Sequence, residues 1–167
     1  MPLGGITGGT GSILGFNFGA GRPDRIRAAE KCILALCLLY TGVLFLAGQC
    51  FAAPFTQVFT PDARVSALAV RAIRLCTMGI VPLAFQYVVV DGFTGMGQVR
   101  LSLPLSFWRK LVYFAAIFAL PAAFGARAAF YAEPLSDILG PAVTVVVYFL
   151  AIGKVLQART EPRGAGL

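Results

Sequence analysis

The sequence predicts an all-α, polytopic transmembrane helix bundle of about five membrane helices, and three observations carry that expectation. The first is composition. Hydrophobic residues make up 58% of the 167 and charged residues 13%, against about 45–50% and about 25% in soluble domains. A soluble chain so poor in charge would expose large apolar patches and aggregate, whereas lipid covers them. The second is run length. No charged residue lies between Cys32 and Pro61, and about 20 apolar residues cross a ~30 Å hydrocarbon core. The third is the placement of basic residues. The segments 22–31, 98–110 and 154–163 hold ten of the fourteen lysines and arginines, and the alternate loops hold only Arg64, Arg71, Arg74 and Arg127. Lysine and arginine gather on the cytoplasmic side, so the first helix and the carboxyl terminus are both expected to end in the cytoplasm. The same placement turns the net charge of +7 away from nucleic acid, for which no motif is present.

The first segment runs from Met1 to about Ala20. It carries no charged side chain, unlike a secretory leader with its positive start. Gly4, Gly8, Gly11, Gly15 and Gly19 recur at steps of three or four and share one helical face. In lipid such a face lets two helices approach closely; in water so many glycines would favour a flexible loop. A short charged stretch follows, from Arg22 to Lys31, and Pro23 suits the first turn of a new helix. The second span covers Cys32–Ala53, with Pro54 marking its end, and an outer loop holds Thr60, Pro61, Asp62 and Arg64. The third helix begins near Ser66, has its apolar body at Leu75–Val90 and reaches about Met96. Pro82 lies inside it, which a membrane helix tolerates when neighbours satisfy the freed carbonyl. Gly92, Gly95 and Gly97 make its far end thin. A basic loop with Arg100, Arg109 and Lys110 leads to a fourth helix from about Leu111 to Gly125, with Pro121 near its end. After the connector Ala126–Ala132, a last helix runs from about Glu133 to Lys154. The bundle thus occupies residues 1–155, and residues 156–167 form a polar cytoplasmic tail expected to be disordered.

Several chemistries are set aside by the residues themselves. Cys32, Cys37, Cys50 and Cys76 all sit in apolar stretches, none forms C-x-x-C, and histidine is absent, so no zinc-type metal set is expected. No G-x-x-x-x-G-K-[ST] loop occurs, which argues against ATP hydrolysis and for no bound cofactor. No nucleophile accompanies the acids, so an enzyme is not expected.

Four stretches carry a family resemblance. Gly15-Phe16-Asn17-Phe18-Gly19-Ala20-Gly21-Arg22, followed by Arg25-Ile26-Arg27-Ala28-Ala29, resembles the G-F-N-Y-G-A-G-R…R-V-R-x-A signature of the MATE family of multidrug and toxic compound extrusion transporters. Gln86 to Gln98, with Asp91-Gly92 and Gly95-Met96-Gly97, is similar to that family's tenth helix and its glycine-rich end. Ser106, Arg109 and Lys110 resemble the S-x-x-R-K that opens helix eleven, and Glu133-Pro134-Leu135-Ser136-Asp137 the E-P-x-x-D that opens helix twelve. The resemblance covers roughly residues 1–155 and marks Gly15, Gly19, Arg22, Gly97, Arg109, Glu133, Pro134 and Asp137 as motif positions of structural weight. It implies the last part of the second lobe, helices eight to twelve. The expectation is a carboxyl-terminal fragment that lacks amino-terminal helices or pairs with a companion chain. It further implies a multi-pass plasma-membrane protein exchanging Na⁺ or H⁺ for small cationic or amphipathic compounds. A lipid-linked flippase of the same superfamily and a non-transporting membrane scaffold are the alternatives.

Three polar side chains within the spans are candidates for a central cavity. Asp91 is separated from Arg74 by sixteen uncharged residues and from Arg100 by eight, which places it well inside the apolar zone. A carboxylate there costs several kcal/mol unless it meets a cavity or a partner. It could couple cations, or it could bond a neighbouring helix. The resemblance itself sets the family's cation-binding acid about two turns earlier, at Leu83 here. Gln86 and Asn17 could line the path or bond between helices. Glu133 and Asp137, four apart on one face, read as acids favoured at a helix amino end. Arg22, Arg25 and Arg27 read as headgroup anchors.

Overall fold

The computed structural model describes residues 2–160, with side chains to residue 157. Six α-helices follow in order: α1 (Pro2–Gly19), α2 (Pro23–Phe59), α3 (Ala63–Met78), α4 (Ile80–Gly95), α5 (Val99–Phe124) and α6 (Ala132–Thr160), with a 3₁₀ segment at Ala126–Tyr131 before the last. Among the described residues there is no strand. Among the described residues four stretches are long and apolar enough to cross a membrane: α2, α3 with α4, α5, and 126–157. The glycine-rich α1 joins them as a fifth member of the bundle.

The boundaries depart from the sequence expectation at the prolines and at the basic loop. Helix α2 does not stop at Pro54 but passes through it to Phe59. A proline about one and a half turns from a helix end removes one backbone bond, and the Thr56 hydroxyl holds the continuation by bonding Ala53 O at 3.0 Å and meeting Ser66 Oγ at 2.9 Å. Asp62 caps α3, its Oδ1 accepting from Arg64 N at 2.8 Å; this starts α3 three residues before Ser66. Pro82 does the opposite of Pro54. It stands in the first turn of α4, where its ring excludes the carbonyl four residues back, and the expected single helix is divided at Gly79 into α3 and α4. The basic loop shrinks to residues 96–98. Gly97 takes φ +73°, open to glycine at little cost, while Gln98 N–H bonds Phe93 O and Gln98 O accepts from Leu101 N–H. One helix is thereby closed and the next opened within a few residues. Arg100, Arg109 and Lys110 consequently belong to α5. Helix α6 continues through Thr160 rather than ending near Lys154, and residues 161–167 of the expected tail lie outside the described residues.

Helix α4 is the hub, packed against α1, α2, α5 and α6. Its crossing with α1 is made by glycine. A Cβ on Gly15 would lie 2.6 Å from Gly95 O, and one on Gly95 would lie 2.8 Å from Gly11 O. Only a side-chain-free surface allows two backbones this close. The glycine face expected of α1 is used only in part, since Gly8 and Gly19 face open space. Beneath the crossing, Leu14, Ile26, Ile33, Cys37, Ala84, Val88 and Phe93 form the core. Large apolar side chains such as Phe16, Val58, Phe118 and Phe149 point outward, as expected where lipid is the solvent.

Candidate functional site

Among the described residues, three of the polar contacts between helices involve ionisable side chains inside this apolar bundle. The first centres on α4, α5 and α6. Gln86 is buried and donates through Nε2 to Leu105 O at 3.1 Å; its Oε1 is buried with no partner among the described residues. Beside it Arg109 Nη1 donates to Asp137 Oδ1 at 2.8 Å, with 27% and 5% of the two side chains exposed. Two glycines make room for this cluster. A Cβ on Gly140 would fall 2.6 Å from Gln86 Oε1 and 2.8 Å from Arg109 Cγ, and one on Gly79 would fall 2.5 Å from Asp137 Cβ. The break between α3 and α4 therefore admits the α6 acid.

The second place lies next to it. The Thr7 hydroxyl of α1 hydrogen-bonds Asp91 Oδ2. Asp91 faces a cleft of about 240 Å³ that also includes Gln86, Tyr87, Ser106, Arg109 and Lys110. Asp91 and Gln86, singled out from sequence, thus share one cavity wall. Asn17 does not join them. Its Nδ2 bonds Ile13 O of its own helix at 2.8 Å, and its backbone carbonyl accepts from Arg22 N–H at 3.0 Å, so it shapes the α1 end. Leu83, at the level where the family resemblance sets an acid, is a buried core residue.

The third place was not anticipated. Glu30, read from sequence as part of a polar connecting stretch, is buried and accepts from Tyr148 Oη of α6 at 2.6 Å. Gly92 of α4 lies against its other oxygen. A signal existed: Ile26, Glu30, Ile33, Cys37 and Thr41 recur at steps of three and four, all are buried, and such spacing is one helical face. Glu30 occupies an inward position of that stripe.

The motif positions divide in the same way. Asp137 is buried and Glu133 exposed. They are not alike in serving the amino end of α6, because Asp137 is turned onto the α5 guanidinium. Arg109, expected in the basic loop before the fourth helix, stands in the middle of α5 for that pairing. Pro134 is buried in the first turn of α6, Arg22 and Gly19 are exposed at the α1–α2 turn, and Gly97 makes the α4–α5 turn.

A family model described as MatE matches residues 1–115. The chain belongs to the MatE family. The match takes in α1 to α4 and the first part of α5, including Gln86, Asp91 and Arg109. Among solved structures, the crystal structure of the Vibrio cholerae MATE transporter VcmN in the bent form is similar, with a TM-score of 0.72 and 18% identity over 88% of this chain. At that identity the likeness establishes a MATE-type fold. This MatE chain spans about a third, 33%, of the length of that transporter. No curated protein matches.

Proposed function

We propose that this MatE chain forms the carboxyl-terminal part of a secondary exporter that exchanges Na⁺ or H⁺ for small cationic, amphipathic compounds. In this reading it acts with further amino-terminal helices or a companion chain, in the plasma membrane with its carboxyl terminus inside. The observation that carries the proposal is the cleft holding Asp91 and Gln86. The Asp91 carboxylate on this wall offers an acceptor to a metal cation, a proton or an organic ammonium, while the Gln86 amide beside it is buried, with its Oε1 set against Gly140. Acids within membrane spans are costly and mark ion or substrate paths. Arg109 is held by Asp137, which leaves Lys110 as the other cation facing the cleft. Lys110 forms no ion pair with Asp91 among the described residues, and the Asp91 carboxylate is held by the Thr7 hydroxyl. Coupling follows if Asp91 binds ion and substrate in turn while the bundle rocks between inward- and outward-open states.

The test is efflux of a fluorescent organic cation from cells or proteoliposomes carrying the complete transporter, driven by an imposed Na⁺ or H⁺ gradient. Asp91→Asn is expected to reduce gradient-driven efflux at least tenfold while leaving the purified protein folded. Unchanged efflux would remove Asp91 from the coupling path. No gradient-driven flux of any cation in the parent would remove the exporter reading altogether.

A further inference from the structure

A larger cavity lies away from the polar cleft, between α2, α4 and α6. It measures about 450 Å³, within the roughly 300–1,000 Å³ of small-molecule sites. Its walls are apolar: Leu34 from α2, Phe85 and Val88 from α4, and Val145, Phe149 and Ile152 from α6. Its polar end lies in the first turns of α2, where Arg27 and Lys31 line it. These two residues are four apart on one helix, so their side chains stand one above the other. Both are exposed, and neither is in salt-bridge contact among the described residues, although the Arg27 charge acts at longer range on Glu30. Glu30 also lines this end but does not face outward with them; it is buried and held by Tyr148. The cavity therefore has an outer rim of two cations, a deeper carboxylate already engaged, and an apolar trough running along the helices.

We propose that this groove is a binding site for an anionic phospholipid, its phosphate on Arg27 and Lys31 and one acyl chain in the trough. Charge decides the occupant. An apolar helix would fill the trough but leave both cations unanswered, and a zwitterionic lipid would bring a phosphate whose charge its own ammonium offsets, against two cations on the rim. A soluble phosphate would answer the cations but leave the trough empty. Basic pockets between membrane helices take acidic headgroups, with about 1 kcal/mol gained per Lys or Arg near the surface. The leaflet is the one reached by the start of α2, cytoplasmic under the topology proposed above. The site is separate from Asp91 and Gln86, and its occupancy is read without transport.

Native mass spectrometry of the detergent-purified protein, titrated with phosphatidylglycerol or with phosphatidylcholine of the same chains, tests this. The parent is expected to retain phosphatidylglycerol preferentially. Arg27→Gln with Lys31→Gln is expected to weaken that retention roughly ten- to thirtyfold, with phosphatidylcholine unchanged. Val145→Phe, which narrows the trough and leaves the rim intact, is expected to weaken it as well, so the result does not hang on one variant folding. Equal retention of the two lipids by the parent overturns the proposal, as does undiminished retention in both variants. Complete displacement by glycerol phosphate would assign the rim to a soluble anion and overturn it too. So would a second copy or a companion chain whose binding excludes the lipid.

Discussion

Single polar residues here are defined by their partners, and the Arg109–Asp137 pair shows the energetics. Asp137 is almost fully buried and Arg109 retains about a quarter of its exposure. Removing one member of a buried pair leaves the other charge without compensation, typically at about 3–5 kcal/mol. Asp137→Ala should therefore lower stability by about 3 kcal/mol, at the low end because Arg109 keeps some access to polar surroundings. Thermal unfolding in detergent reads this. The double variant Arg109→Leu with Asp137→Leu should recover much of the loss, since apolar replacement of both partners removes the uncompensated charge. An Asp137→Ala protein as stable as the parent would show that the contact contributes nothing. Glu30 follows the same logic with a neutral partner: its carboxylate enters the bundle because Tyr148 donates to it and Gly92 leaves it space.

Among the helices, proximity is set by what side chains are missing. Gly15→Ala would drive a methyl into Gly95 O at 2.6 Å, a backbone atom that cannot swing aside. Overpacking of this kind costs about 1–3 kcal/mol, and α1 should separate from α4, with a lower unfolding temperature in detergent. Gly8→Ala is the control. Nothing lies within 4 Å of its Cβ position, and alanine favours helix over glycine by up to about 1 kcal/mol, so it should be neutral or stabilising. Equal losses from the two changes would refute the glycine crossing. Length argues at this scale too. Helix α2 has 37 residues and spans about 55 Å at 1.5 Å per residue, well beyond a ~30 Å core. Its charged first turns, residues 23–31, take up about 14 Å of that excess, and this is where the proposed lipid rim sits.

At the scale of the whole molecule, the outer surface is the informative part. Phe51, Phe55, Val58 and Phe59 of α2, Phe107, Leu111, Phe114 and Phe118 of α5, and Phe149 and Leu150 of α6 are all exposed. Contiguous apolar surface of this extent is stable only against lipid or other helices. The purified chain is expected to need detergent or lipid to remain monodisperse. Size-exclusion chromatography in plain buffer should show aggregate, and a sharp monodisperse peak there would contradict the bundle as a membrane structure. The polar interior is the complement of this surface: Gln86, Asp91, Arg109 and Asp137 all face inward from helices whose outer faces are greasy.

That the chain is a helical membrane bundle, roughly where its spans lie, and which family motifs it carries are all legible along the sequence. This is so because lipid demands long apolar runs whose backbone bonds close within each helix, and run length is readable along one dimension. Tertiary structure decided the rest. The divergent fates of Pro54 and Pro82 depended on what surrounds each ring. Thr7 and Asp91 are 84 residues apart, Glu30 and Tyr148 118, and Arg109 and Asp137 28. Each pairing depends on the rotation and depth of two helices, which packing against neighbours sets, and no local periodicity encodes that. Asp91 and Gln86 could be selected as polar groups in apolar helices, but only the packed bundle joins them in one cleft, sends Asn17 back to its own helix and turns Glu30 inward.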